Sequence, residues 1–266
     1  PIRPDEIPEE LNPGHYRTLD ELPYPAWEHF DLDPRQEKTR FIPGYFVHSS
    51  LALSAEALSA RRRMDVIAER GCAGRCRFCD HARLGGDFLH ESEWDFYGDF
   101  QKEGRIQPFV RFQSPEYVVD MITYILIHFK IDFIAFMDET MLLNRPRTLR
   151  ILELLEERDL IGTFKWGCLA RAENVDLELL GKMKQADCTY ISFGFESSDQ
   201  GQLDYLEKGN TVAQQQTAFR SCIDTGINPI TSYIIGYPDE DMQSLYNTAR
   251  FWVVNGIQCA PFFLTP

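Results

Sequence analysis

From Met64 onward the chain repeats one unit: an apolar run of strand length, then a stretch whose apolar residues return at helical spacing. Such alternation builds a parallel sheet, because parallel neighbours need a long crossover and a helix is the usual one. Six strands are predicted, in "DVIAER", "DFIAFMDE", "FKWGCLA", "TYISFGFES", "PITSYIIGYP" and "CAPFFLTP", with a helix in each interval. The first helix opens at Ser114 as N-cap, with Pro115 in the first turn and Glu116 complementing the helix dipole. Its Val118, Ile122, Ile125 and Phe129 fall on one face. The other helices are expected from Arg147 to Arg158, in "DLELLGKMKQA", around Ala213 to Asp224, and in "EDMQSLYNTARFWVVN". Right-handed crossovers make this an open, barrel-like (β/α)6 array of the α/β class. No helix follows the sixth strand, so the chain is expected to be a fragment cut inside its barrel.

Residues 1–60 have a different texture. They are Pro-rich and dotted with aromatics, without a sustained period, and read as an irregular extension lying over something else. The expected division is therefore an extension over 1–60 and a core over 61–266.

Composition narrows the function. The chain is 44% hydrophobic and 26% charged, as ordinary globular proteins are. Its 27 Lys and Arg against 41 Asp and Glu give a net charge of −14, which disfavours a nucleic-acid partner. The basic run Arg61 to Arg63 reads as a solvated loop. No apolar stretch is long enough to span a bilayer and the start is unlike a secretory signal, so a cytoplasmic location is expected. Of seven cysteines, Cys168, Cys188, Cys222 and Cys259 sit singly in apolar surroundings and read as inert buried thiols.

The other three, Cys72, Cys76 and Cys79, crowd into "GCAGRCRFCD". A closed structural metal site wants four ligands, so three thiolates either borrow a distant fourth or leave one metal position free. His81 is a candidate fourth ligand for zinc. In parallel β/α folds the chemistry gathers at the carboxyl ends of the strands. In this chain those ends carry the cysteines, then Asp138 and Glu139, Arg171, Glu196 and Ser197, and finally Gly236, Pro238 and Glu240. Each has a structural reading beside the functional one. Asp138 and Glu139 could cap a helix, Glu196 could pair with a surface lysine such as Lys208, Arg171 could serve a salt bridge, and Gly236 with Pro238 could make a turn.

The spacing CxxxCxxC, with Phe78 just before the last cysteine, resembles the signature of the radical S-adenosylmethionine superfamily. The resemblance runs from about Met64 to the end and implies a 4Fe–4S cluster on the three cysteines, with the fourth iron open to S-adenosylmethionine. "FMDET" resembles an acidic form of the family's second-strand motif, in which either Asp138 or Glu139 meets the amino group of the cofactor. "FGFES" is similar to the fourth-strand motif, which gives Glu196 a contact to the ribose or the methionine end. "SYIIGYP" resembles the GxIxG stretch beside the adenine, with Ser232 in place of the first glycine, then Ile234 and Gly236. Arg171 in "CLAR" suits a carboxylate contact. Such a site implies one-electron cleavage of S-adenosylmethionine, a 5′-deoxyadenosyl radical and hydrogen abstraction from a small-molecule substrate, fed by an electron donor such as flavodoxin or ferredoxin.

Within that superfamily, "SPE", "DET", "LAR", "GFES", "KGNT" and "GYPDE" are similar to the group with a cobalamin-binding domain ahead of the barrel. "TLDELPYPAWEHFDLD" looks like the segment joining the two domains, although no DxHxxG stretch occurs in the chain. This implies cobalamin-dependent methylation, or cyclisation and rearrangement as in relatives of the anaerobic magnesium-protoporphyrin monomethyl ester cyclase. The tRNA methylthiotransferases share the pattern, but the acidic charge argues against RNA. A non-catalytic zinc module and an electron-transfer cluster protein are the readings from other classes. The substrate is not legible, and His81, His90, Trp94 and Tyr97 receive no role.

Overall fold

The computed structural model describes residues 18–27, 57, 59–79, 110–237, 240–257 and 259–263. The bulk of the extension, the stretch 80–109 with its histidines and aromatics, and Pro238 lie outside them. Six strands form one parallel sheet: β1 (Arg63–Val66), β4 (Phe133–Phe136), β5 (Lys165–Ala170), β6 (Cys188–Glu196), β7 (Asn228–Ile235) and β8 (Cys259–Phe263). They neighbour one another in that order, so each new strand adds to the same edge and the sheet curls into a half-barrel. A separate antiparallel pair joins β2 (Glu69–Arg70) to β3 (Arg111–Phe112).

The intervals hold α1 (Pro115–Phe129), α2 (Arg145–Glu157), α3 (Leu177–Gln185), the short α4 (Gln200–Tyr205), α5 (Val212–Thr225) and α6 (Met242–Asn255). Their starts are written in the sequence. Ser114 accepts from the Tyr117 amide at 3.1 Å, with Pro115 in the first turn as predicted. Asn144, Asp176 and Asp241 cap α2, α3 and α6 in the same way, and Thr211 forms a full capping box with Gln214. Each such cap contributes about 1 kcal/mol. Helix α4 was not foreseen, because six residues are too few to show a period.

Strand alternation divides the apolar residues between two faces. Ile134 and Phe136 of β4, Trp166 and Cys168 of β5, and Ile191 and Phe193 of β6 pack under the helices in the main core. Phe133, Ala135, Tyr190 and Ile230 cluster on the opposite, inner face. There the Tyr190 ring lies flat over Gly167 and stacks on Phe133, with centroids 6.0 Å apart. Cys168, Cys188 and Cys222 are buried, as read from the sequence. In the described part of the extension, Trp27 joins the core, Tyr24 meets Tyr117 and Tyr124 of α1, and the Tyr117 hydroxyl donates to the Leu22 carbonyl at 2.7 Å. No helix among the described residues is long and apolar enough to cross a membrane.

Two expectations need correction. The first strand does not run through "DVIAER" to Gly71. It leaves the six-stranded sheet after Val66, because the Asp138 carboxylate takes the amides of both Ala68 and Glu69, at 2.6 Å each, and neither residue pairs with β4. Arg63 is also not in a loop, since it opens β1, and the Asp132 carboxylate holds the amides of Arg61 and Arg62 just before it.

A methyl group at Gly167 would lie 2.2 Å from the Tyr190 ring. Gly167→Ala is expected to destabilise the fold by about 1–3 kcal/mol. Chemical unfolding of the variant measures this, and the double change Gly167→Ala with Tyr190→Leu should recover part of the loss.

Candidate functional site

The strand ends converge as the (β/α) layout requires. After β2 the chain turns into the loop of Cys72, Cys76 and Cys79, the second buried and the others partly so. The Cys79 amide donates to the Cys76 carbonyl at 3.1 Å, and the Gly74 amide points at the Cys72 sulfur at 3.3 Å. Burial raises the Cys72 pKa, and the neighbouring Cys76 and Cys79 add to the rise. Among the described residues no three ligand side chains converge on one point as they would around a single ion. Three thiolates on one short loop suit a cluster, whose ligands bind separate irons.

Arg171, at the exit of β5, reaches this loop. Its Nη1 lies 3.6 Å from the Cys76 sulfur, its Nε donates to Glu173, and its Nη2 donates to the Lys208 carbonyl. Burial works against the charge, but Glu173 more than offsets it and the Arg171 pKa is raised. A guanidinium fixed beside a thiolate withdraws electron density from it, which is how neighbouring donors tune a cluster.

Glu196 ends β6 in the left-handed region, at φ 67°, where the register with β7 slips by one residue. Its Oε1 is 3.3 Å from Lys208 Nζ, and both side chains are almost fully enclosed. The expected pairing of Glu196 with Lys208 is therefore present, but Lys208 is buried and no surface lysine. Gly194 explains how the pair fits: a Cβ there would come within 2.3 Å of Glu196 Oε1 and 3.2 Å of Lys208 Nζ. Burial raises the Glu196 pKa, while Lys208 pulls it down. Lys208 also stands 5.8 Å over the Phe78 ring, and Phe78 faces Tyr237 at 6.1 Å. The Tyr237 hydroxyl is buried without a hydrogen-bond partner among the described residues.

The remaining candidates are placed less centrally. Asp138 is fully buried and spends one oxygen on the amides before the cluster loop, and Glu139 beside it is partly exposed. Ser232 pairs with Gly194 in register, and Ser232 and Ile234 are half-buried on β7. Gly236 is exposed at φ 99°, with its amide donating to Glu240 at 2.7 Å. A cleft of about 640 Å³ opens where Gly74, Arg75, Thr140, Arg171, Glu173 and Lys208 meet.

Two buried residues had no signal in the sequence. Glu69, read as part of a strand, accepts from the Thr140 amide at 3.0 Å, and Arg147 of α2 donates to the carbonyls of Gln113 and Ala68 at 2.8 and 2.9 Å. Burial, with the Asp138 charge behind it, pushes Glu69 up to about 8, and burial likewise pushes Asp138 to about 6.

These observations meet a consistent set of relatives. The model of the radical SAM superfamily matches residues 66–251, and the chain belongs to that superfamily. Membership implies a 4Fe–4S cluster and S-adenosylmethionine. The anaerobic magnesium-protoporphyrin IX monomethyl ester cyclase of Cereibacter sphaeroides is 30% identical over 183 residues, 68% of this chain and 26% of that protein. Among solved structures, the radical S-adenosylmethionine methyltransferase TsrM of Kitasatospora setae, with cobalamin and a [4Fe-4S] cluster bound, matches with a TM-score of 0.60 at 14% identity, over 75% of this chain and 34% of that one. The cobalamin-dependent radical enzyme OxsB with aqua-cobalamin bound gives 0.55 at 24% identity, over 70% of this chain and 26% of that one. At these identities the two structures establish the fold, a half-barrel of the radical SAM type. The chain spans 26% and 30% of the length of two cyclase relatives.

The buried acid pair makes stability depend on pH. A carboxyl whose pKa is raised on folding stabilises fully below its unfolded value and loses that contribution as pH rises through the folded value. For Glu69 the window runs from about 4.5 to about 8, and for Asp138 from about 3.8 to about 6. The unfolding free energy of the cluster-free protein is thus expected to fall as pH rises between about 6 and 8, and Glu69→Gln should flatten that slope in denaturant titrations.

Proposed function

We propose that the chain is the S-adenosylmethionine-cleaving core of a radical enzyme acting on a small molecule, by cobalamin-dependent methylation or by cyclisation or rearrangement. The observation that carries this reading is the three-cysteine loop, seated at the strand exits with Arg171 against one sulfur and the Glu196–Lys208 pair behind Phe78. On this reading Cys72, Cys76 and Cys79 hold the 4Fe–4S cluster. When bound, the cluster supplies the electron for reductive cleavage of S-adenosylmethionine, with 5′-deoxyadenosine as the product.

The chain's own residues bind, orient and enclose. Arg171 and the Gly74 amide stabilise charge on the sulfurs of Cys76 and Cys72. Glu196 offers a carboxylate to hydroxyl or ammonium groups of the cofactor, in surroundings dry enough to strengthen the contact. Ser232, Ile234 and Gly236 present an edge of β7 to the adenine, and Phe78 closes the side next to Cys79. Asp138 faces the first strand, so Glu139 is the better placed of the two acids for the amino group. Residues 1–60 serve as the connection from a cobalamin-binding domain, and the core spans 61–266. An external donor such as flavodoxin or ferredoxin supplies the electron. The cyclase and methyltransferase relatives favour these two reaction classes over electron transfer alone.

Anaerobic reconstitution with iron and sulfide, followed by reduction and assay of 5′-deoxyadenosine, tests the proposal. Alanine at Cys72, Cys76 or Cys79 is expected to abolish cluster binding and product release, whereas Cys222→Ala retains both. A Cys76→Ala protein with a full cluster would sink the ligand assignment, and a colourless protein that takes up only zinc would sink the function.

A further inference from the structure

The segment after α4 holds two residues in the left-handed region, Glu207 at φ 51° and Gly209 at φ 76°. Its outer side is clamped to the cluster loop. The Arg77 amide donates to the Leu206 carbonyl at 3.0 Å, and the Arg77 side chain pairs with Glu207 at 2.8 Å and lies over the Tyr205 ring. Lys208, between these two residues, is buried. Its Nζ meets Glu196 and faces Phe78, and its carbonyl accepts from the Arg171 guanidinium that reaches Cys76. One residue thus touches β6, the cluster loop and the side chain at the exit of β5.

Stability alone is a poor reason for this arrangement. Desolvating two charges offsets most of their attraction, and a well-packed apolar pair would serve the fold as well. Glu196 is also held in a backbone conformation that a non-glycine residue rarely adopts, and such strain gathers at functional positions. The charged groups facing Glu196 are Lys208 and Arg171, with the Tyr237 phenol beside them.

We infer that Lys208 is a positioning residue for S-adenosylmethionine: it holds Glu196 charged and aimed into the site, while its carbonyl keeps Arg171 on Cys76. The inference rests on the reading that Glu196 contacts the cofactor. Lys208 acts through Glu196, so its removal should matter only while position 196 carries a titratable acid.

The test uses the reconstituted protein, with S-adenosylmethionine as the probe, and measures iron content and binding from about pH 6 to about pH 9. Lys208→Met is expected to keep the wild-type iron content and to bind the cofactor about tenfold or more weakly at neutral pH, recovering as pH rises and Glu196 ionises without its cation. Lys208→Arg should restore affinity to within about threefold, since the charge is retained. Glu196→Gln and the double variant Lys208→Met with Glu196→Gln should bind equally weakly, with no pH dependence. The double variant buries no lone carboxylate, so it also decides the matter if Lys208→Met does not fold. Wild-type affinity in Lys208→Met, or a double variant weaker than Glu196→Gln alone, overturns the inference and leaves the proposed function standing. A wild-type protein that assembles its cluster but binds no S-adenosylmethionine overturns both.

Discussion

The site depends on one carboxylate. Asp138, just past β4, accepts the amides of Ala68 and Glu69 and so decides where the first strand stops being part of the sheet. Hydrogen bonds to a charged group contribute about 1.5–3 kcal/mol each, enough to outweigh two more rungs of a ladder. Released from the sheet, the chain pairs briefly with Arg111 and Phe112 and then enters the cysteine loop. Arg147 reinforces the bend by donating to the Ala68 carbonyl, which also accepts from the Gln113 amide. The direction in which the cysteines face is thus set by groups on other strands and helices.

Around that bend the protein buries more charge than a stable core needs. Glu69, Asp138 and Arg147 lie under the loop, and Glu196, Lys208 and Arg171 lie beside it. In both groups backbone amides or carbonyls share the work of satisfying the charges, which keeps the buried ions tolerable. The first group fixes backbone, whereas in the second Arg171 and Lys208 line the cleft and Arg171 reaches a sulfur. Gly194 permits the second group, because any larger residue would occupy the place of the carboxylate.

Much of the fold was legible because it follows from periodicity and end signals. The parallel strands and the cap at Ser114 appear where local chemistry puts them. The errors share one cause. "DVIAER" has a strand's composition, but its last residues are claimed by a carboxylate about seventy positions away. Lys208 looks like a surface lysine because charge usually means exposure, yet it lies between two left-handed residues and is buried against Glu196.

The sequence by itself determined the alternation of strands and helices, the three thiols on one short loop, and the placing of acids, an arginine and glycines at strand ends. These are properties of spacing along the chain, which neighbouring residues enforce. Only the tertiary structure decided which of those residues face one another. Arg171 meets Cys76 and Glu196 meets Lys208, while Asp138 turns to the backbone before the loop. The reason is physical: a buried charge takes whichever partner the packed strands bring within hydrogen-bond reach, and separation in sequence does not enter that choice.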